Sequence, residues 1–394
     1  MAKRRGPGSR RRQLQPEPNN SRHHNSPPDT NLYKIKAPKV YSSYPYTSYL
    51  PEEVGAFSTD QDRNVLKCSS DTFPHLRPDV KLPLDLNEGL EEYYSCVKDV
   101  DSNRLNYLPF WQKLLKWITL SNFDVSSVDF IARRGILKYI GYTLYDYHKS
   151  PWKFRVCKFQ GKVYMYEPSP EQRGESMIEK DSRCKRYLYW GRQFEKTVTS
   201  SKEDMAGYYR IVNSNVGKYK VLLGAEVDAI RVRSHDNESS DDIIVEEVLQ
   251  GCPDCNLLKK YCNSTPSNST TTEFIEIKTC VKRQVKNKTS FGWLQSYLAG
   301  IETLVYGFRD GEGMVDQIAE YKVSEVPGTA DWDGAAMFGL ISGVLKWLYG
   351  QVDEGCSGEI EYLGAHKHQI EFRKLSNEHF LPEWFVQYVS ASKQ

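Results

Sequence analysis

No run of about 18 apolar residues occurs in the 394-residue chain, which excludes a transmembrane helix. No apolar stretch follows the first residues, so no secretory signal is expected. An excess of charge of one sign is also missing: 53 Lys and Arg face 51 Asp and Glu, a formal net charge of +2. That balance excludes a uniformly basic coat for nucleic acid and leaves room for a local basic cleft. There is no internal repeat, and no convincing Ser-His-Asp set, P-loop or dinucleotide-binding glycine signature. An even cysteine count is lacking too. The nine cysteines, at 68, 96, 157, 184, 252, 255, 262, 280 and 356, read as reduced thiols of an intracellular protein. The Asn-x-Ser/Thr triplets at Asn237, Asn263, Asn268 and Asn287 are accordingly expected to stay unglycosylated.

Aromatic residues are plentiful: 26 Tyr, 15 Phe and 8 Trp supply material for a substantial core. Trp111, Trp117, Trp347 and Phe338 read as part of it rather than as base-stacking platforms. Residues 1–45 have almost no aliphatic side chains and read as a disordered basic tail. Its triplets Lys3-Arg4-Arg5 and Arg10-Arg11-Arg12 suit a nuclear address, a phosphate-binding arm or a solvated tail equally. Residues 46–394 are expected to form a single catalytic domain, with order beginning near Tyr44 to Phe57. A Ser/Asn/Asp/Thr-rich insertion, about 234–271, interrupts it.

Spacings of three and four predict a helix over 108–120 and a second from Ser126 or Ser127 through Ile140, with Arg133, Arg134 and Gly135 inside it. From Lys153 the period changes to two. Phe154–Phe159 and Val163–Tyr166 then form a predicted hairpin around Gln160-Gly161. Residues 168–186 read as loop. Strands are expected at Tyr208–Val212, Lys218–Leu223, Ala225–Val232 and Glu273–Thr279. A helix from Ser290, a buried strand Thr303–Phe308, a helix Ala335–Tyr349 and a closing hairpin (Ile360–Leu363 with Gln369–Phe372) complete the pattern. Helices and hairpins alternate irregularly, which favours a mixed α/β fold with a twisted sheet.

Three short acidic segments stand out: Gly191-Arg-Gln-Phe-Glu195, Gly224-Ala-Glu226-Val-Asp228 and Phe274-Ile-Glu276-Ile277-Lys278. On one strand, Glu226 and Asp228 would share a face roughly 6.5–7 Å apart. Glu276 and Lys278 would do the same while Ile275 and Ile277 face the core. Were the strands neighbours, Glu226, Asp228 and Glu276 would converge with Glu195 nearby. Carboxylates so gathered repel one another, and a hard divalent cation, Mg²⁺ or Mn²⁺, removes that cost. Lys278 alongside could orient a water or hold developing negative charge. The set suits metal-dependent phosphodiester or pyrophosphate hydrolysis.

Together these segments resemble the decapping exoribonucleases of the DXO/Rai type, most closely the fungal Rai branch. The resemblance rests on Asp85-Leu-Asn-Glu88-Gly89, Arg133-Arg134-Gly135, the three acidic segments, Trp293-Leu-Gln295-Ser296 and Tyr306-Gly-Phe-Arg-Asp310, in the family's order. It implies two twisted mixed β-sheets flanked by helices, with a nuclease core of the Glu/Asp-x-Lys class. It also implies that Glu195, Glu226, Asp228, Glu276 and the Ile277 carbonyl hold metal, two ions during catalysis. Glu195, Glu226, Asp228, Glu276 and Lys278 would then be the catalytic set. Glu88, Arg133, Arg134, Glu226, Lys278 and Gln295 would bind the RNA 5′ end. Family members remove aberrant 5′ ends (triphosphates, unmethylated caps and nicotinamide-dinucleotide caps), and some also degrade the exposed RNA. The Rai branch also binds and stimulates a nuclear 5′→3′ exoribonuclease. The nucleus is the implied location, with the cytoplasm left open. Cys252, Cys255 and Cys262 depart from the family pattern. Cys-x-x-Cys can hold zinc, but no fourth ligand is obvious, and reduced thiols on a surface loop are expected. Two other readings stay open: a DNA endonuclease with the same core, and a non-catalytic activator subunit of an exoribonuclease.

Overall fold

The computed structural model describes residues 31–60, 64–66, 74–95, 110–146, 150–168, 182–200, 207–234, 270–329, 331–364 and 368–391. The basic triplets and the insertion with Cys252, Cys255 and Cys262 lie outside them. Among the described residues no helix is long and apolar enough to cross a membrane, and Cys157, Cys280 and Cys356 are buried and form no disulfide.

Among the described residues two mixed sheets carry the fold. The first has ten strands, beginning at one edge with Leu32–Lys34 (β1), Gln369–Ser376 (β17), Ser357–Tyr362 (β16), Trp152–Phe159 (β7) and Lys162–Tyr166 (β8). It continues through Phe130–Arg133 (β6), Tyr219–Glu226 (β11), Gly207–Val216 (β10), Glu52–Thr59 (β2) and Val65–Leu66 (β3). The second has seven: Leu84–Asp85 (β5), Met314–Lys322 (β15), Thr303–Arg309 (β14), Thr270–Cys280 (β13), Ala229–Ser234 (β12), His75–Leu76 (β4) and Thr199–Ser200 (β9). Strand β6 runs parallel to β11 and β8, β13 to β14, and β12 to β4.

The helices set against these sheets include Phe110–Ser121 (α1), Arg134–Tyr142 (α2), Ser182–Val198 (α3), Val285–Ala299 (α4), Gly334–Gln351 (α5) and Glu383–Ala391 (α6). The largest core joins Phe130, Val221 and Ile360 of the first sheet to Leu304, Tyr306 and Phe308 of the second through Leu137, Leu294 and Ile341 of α2, α4 and α5. Helices α1 and α6 cover the opposite face of the first sheet with Leu115, Trp117 and Phe385 over Ile131 and Leu222. Helix α3 covers the second sheet with Trp190 and Phe194 against Ile275, Ile277 and Val305. Each such buried side chain contributes roughly 1.5–3 kcal/mol by leaving water.

The hairpin of β7 and β8 forms as read, with Gln160 and Gly161 both at positive φ (51° and 75°), the two-residue turn that matches strand twist. Helices α4 and α5 and the closing hairpin also form. Four expectations need correction. Order begins before Tyr44: β1 pairs with β17, and Tyr33 and Tyr41 pack on the main core. Ser126–Ile140 is not one helix but a 3₁₀ turn capped by Asp124, then β6, then α2. Phe130 and Ile131 face opposite cores, and a short apolar run buried on both faces gives no periodicity to separate strand from helix. Helix α3 begins at Ser182, inside the expected loop, and carries Glu195. Finally, Ala225–Val232 is not one strand. Strand β11 ends at Glu226 in the first sheet, and β12 begins at Ala229 in the second.

Candidate active site

The break between β11 and β12 puts Glu226 and Asp228 where the chain crosses from one sheet to the other. The crossing is anchored by Val227, which is buried and donates its N–H to the Tyr208 carbonyl at 3.0 Å. Strand β13 then supplies Glu276, Ile277 and Lys278. Ile275 and Ile277 point to α3, so the period of two turns Glu276 and Lys278 the other way, toward Arg134 of α2 and Gln295 of α4.

Glu276 is the hub. It is fully buried, accepts from Arg134 Nη1 at 3.2 Å, and also accepts from Lys278 Nζ and Gln295 Nε2. Lys278 Nζ lies 3.5 Å from Asp228 Oδ2 and donates to the Ile277 carbonyl at 3.0 Å. Asp228 Oδ2 accepts the Ile277 N–H at 2.7 Å. The ammonium of Lys278 therefore touches Glu276, Asp228 and the Ile277 carbonyl, three of the five groups expected to hold metal.

Electrostatics separate the acids. Burial opposes the charge on Glu276, but Lys278 and Arg134 outweigh it and hold the carboxyl below its ordinary range. Burial and then the charge of Glu276 push Asp228 well above its ordinary range. Burial, joined by Glu276 and Glu226 and opposed by Lys278, pushes Glu195 up to about 7. Burial works against the charge of Lys278, but Glu276 and Asp228 raise its pKa above the usual lysine value, so it stays protonated.

The donor chemistry fits a hard divalent cation: every expected ligand is a carboxylate or carbonyl oxygen, and burial, with neighbouring carboxylates, holds Glu195 and Asp228 above their ordinary range. Among the described residues no three His, Cys, Asp or Glu side chains close into a tight metal shell, and the Glu276 oxygens are taken by Arg134, Lys278 and Gln295.

Two expected residues stand apart. Arg133 is half-exposed, 3.9 Å from Glu167 and stacked over Phe110. Glu88 is exposed, and its carbonyl accepts the Tyr189 hydroxyl on α3. One residue was missed. Lys138 donates to Gln295 Oε1 at 3.2 Å and lies 3.8 Å from the centroid of the Phe291 ring. Burial and the neighbouring Arg134 push its amine down to about 7. Its position four residues after Arg134, on the same helix face, was the available signal.

The sequence model of RAI1-like PD-(D/E)XK nucleases matches residues 50–386. The chain belongs to this family. Glu276-Ile277-Lys278 has the residue order of a (D/E)XK element and lies inside the matched span. The Decapping and exoribonuclease protein Rai1 of Drosophila melanogaster is 27% identical over 374 residues, covering 85% of this chain and 90% of that protein. Solved Rai1 structures share the fold of the RAI1-like nuclease described here. Candida albicans Rai1 in complex with pU5-Mn²⁺ superposes with a TM-score of 0.65 at 16% identity, covering 91% of this chain and 100% of that one. Scheffersomyces stipitis Rai1 in complex with (3′-NADP)⁺ and calcium ion gives 0.64 at 19% identity, with the same two coverages.

Proposed function

We propose that this chain is a divalent-metal-dependent hydrolase that removes aberrant 5′ ends from RNA. The observation that carries the reading is the Glu276 hub, which gathers Arg134, Lys278 and Gln295 next to Asp228. Family membership, a relative named as a decapping nuclease and exoribonuclease, and Rai1 structures holding pU5-Mn²⁺ or a dinucleotide with calcium support it.

Hydrolysis forms one bond from a water oxygen to phosphorus and breaks the bond to the leaving 5′ group. Glu195, Glu226, Asp228, Glu276 and the Ile277 carbonyl would hold the metal, which supplies Lewis acidity and lowers the pKa of water. Lys278, already protonated, cannot take the water's proton. It donates to the water or to a phosphate oxygen and holds negative charge as it develops. The proton is left to a carboxylate. Arg134, buried beside Glu276, offers the fork geometry that suits phosphate. Triphosphates, unmethylated caps and dinucleotide caps are the substrates this reading assigns, with Mg²⁺ or Mn²⁺ as cofactor and two ions in catalysis. Stimulation of a nuclear 5′→3′ exoribonuclease, and residence in the nucleus, belong to the same reading.

The test is incubation of end-labelled RNAs bearing each 5′ group with Mg²⁺ or Mn²⁺, the products being resolved chemically. Release of the 5′ group, abolished by chelator, is expected. Cleavage of duplex DNA with none of RNA would favour the endonuclease reading. Stimulation of an exoribonuclease without hydrolysis would favour the non-catalytic one.

A further inference from the structure

Charge in the cluster does not balance cation by cation. Arg134 and Lys278 each have a carboxylate within ion-pair distance, whereas Lys138 has none among the described residues. One of its three N–H donors goes to Gln295, and the Phe291 ring faces the charge from 3.8 Å. The Tyr139 ring lies farther off, at 5.1 Å. No further hydrogen-bond acceptor for the ammonium is present among the described residues.

Gln295 is fixed from both sides. The Glu276 carboxylate only accepts and the Lys138 ammonium only donates, so the amide NH₂ faces Glu276 and its oxygen faces Lys138. Lys138 thereby stands at the end of a chain that runs through Gln295 to Glu276, and from there to Arg134 and Lys278. Lys138 is half-buried, its nearest carboxylate, Glu276, lies on the far side of the Gln295 amide, and a phosphate oxygen delivered to the site would give its remaining donors a partner. Its position beside the Gln295 amide limits that anion to one that enters the Glu276 cluster.

We propose that Lys138 is a substrate-binding residue that donates to a phosphate oxygen of the RNA 5′ end. This rests on the RNA 5′-end reading above. The aromatic contact holds the ammonium in place without neutralising it, so its charge is available to phosphate. Phosphate in turn favours the protonated amine that burial disfavours.

The experiment compares two RNAs of one sequence, 5′-phosphorylated and 5′-hydroxyl, binding to the full chain in chelator, read by fluorescence anisotropy. Wild type is expected to bind the phosphorylated RNA roughly tenfold tighter, the scale of one charge-assisted hydrogen bond. Lys138→Met is expected to erase most of that preference and leave the 5′-hydroxyl affinity unchanged. Lys138→Gln is the second variant should Lys138→Met not fold. An unchanged preference in the variant overturns the proposal. So does a wild type with no preference, or an equal loss for both RNAs, which would mark a structural role. Hydrolysis by wild type with Mn²⁺ is scored separately: its absence, with the binding preference intact, removes the enzyme reading and leaves the phosphate site standing.

Discussion

The carboxylate of Asp228 accepts the backbone N–H of Ile277 at 2.7 Å. This bond ties the crossing between the sheets to the strand that carries Glu276 and Lys278, and it leaves the Lys278 ammonium 3.5 Å from the same oxygen. One acid thus serves the fold through a backbone donor and the site through its charge. The two services can be separated by mutation.

Asp228→Asn keeps an oxygen able to accept from Ile277 and removes the charge beside Lys278. Stability should change by no more than about 1 kcal/mol, the worth of one hydrogen bond. Single-turnover hydrolysis should fall by roughly 10²–10³, the cost of removing one preorganised electrostatic group. A folded variant with full activity would refute the site.

Lys278→Met should lower kcat by about 10² or more with a smaller change in KM, because its charge acts mainly on the developing phosphorane. Steady-state kinetics on one RNA substrate separate the two. A change confined to KM would make Lys278 a ground-state binding residue.

Metal affinity should depend on pH through Glu195, whose carboxyl is pushed up to about 7. Below that pH the group holds a proton that an incoming ion must displace, so affinity weakens as pH falls. The slope should approach about tenfold per pH unit for one proton released. Mn²⁺ titration by calorimetry on either side of neutrality reads it, and Glu195→Gln should flatten it. Equal wild-type affinity at both pH values would contradict the assignment.

Arg210 joins β10 to the end of α4. It pairs with Glu53 at 2.6 Å and donates to the carbonyls of Ala299 and Gly300 at 3.2 and 2.6 Å. Arg210→Met leaves Glu53 without its partner and should cost about 3–5 kcal/mol in urea unfolding. Adding Glu53→Leu should recover part of that loss. If the single variant unfolds like wild type, the pair has no structural weight.

Gly307 sits under α3, and a Cβ there would lie 2.5 Å from the Phe194 ring. Gly307→Ala should therefore push away the helix that carries Glu195 and destabilise by about 1–3 kcal/mol, as overpacking does. Loss of Mn²⁺ affinity should accompany the lower Tm. An unchanged metal affinity would show that Glu195 does not depend on this contact.

Local pattern was legible wherever one stretch faces one environment. The alternation in Phe154–Phe159, the long apolar face of Ala335–Tyr349 and the turn residues Gln160-Gly161 each state their own structure, since side-chain period follows from backbone geometry. The acid and lysine set was legible as composition around Glu226, Asp228, Glu276 and Lys278. The sequence thus determined which residue types the site would have. Only the tertiary structure decided that Glu226 closes one sheet while Asp228 leads into the other, that Glu195 arrives on a helix, and that Lys138 reaches Gln295. Those are relations between segments far apart in the chain. They are set by which buried faces pack together, and no local period records that.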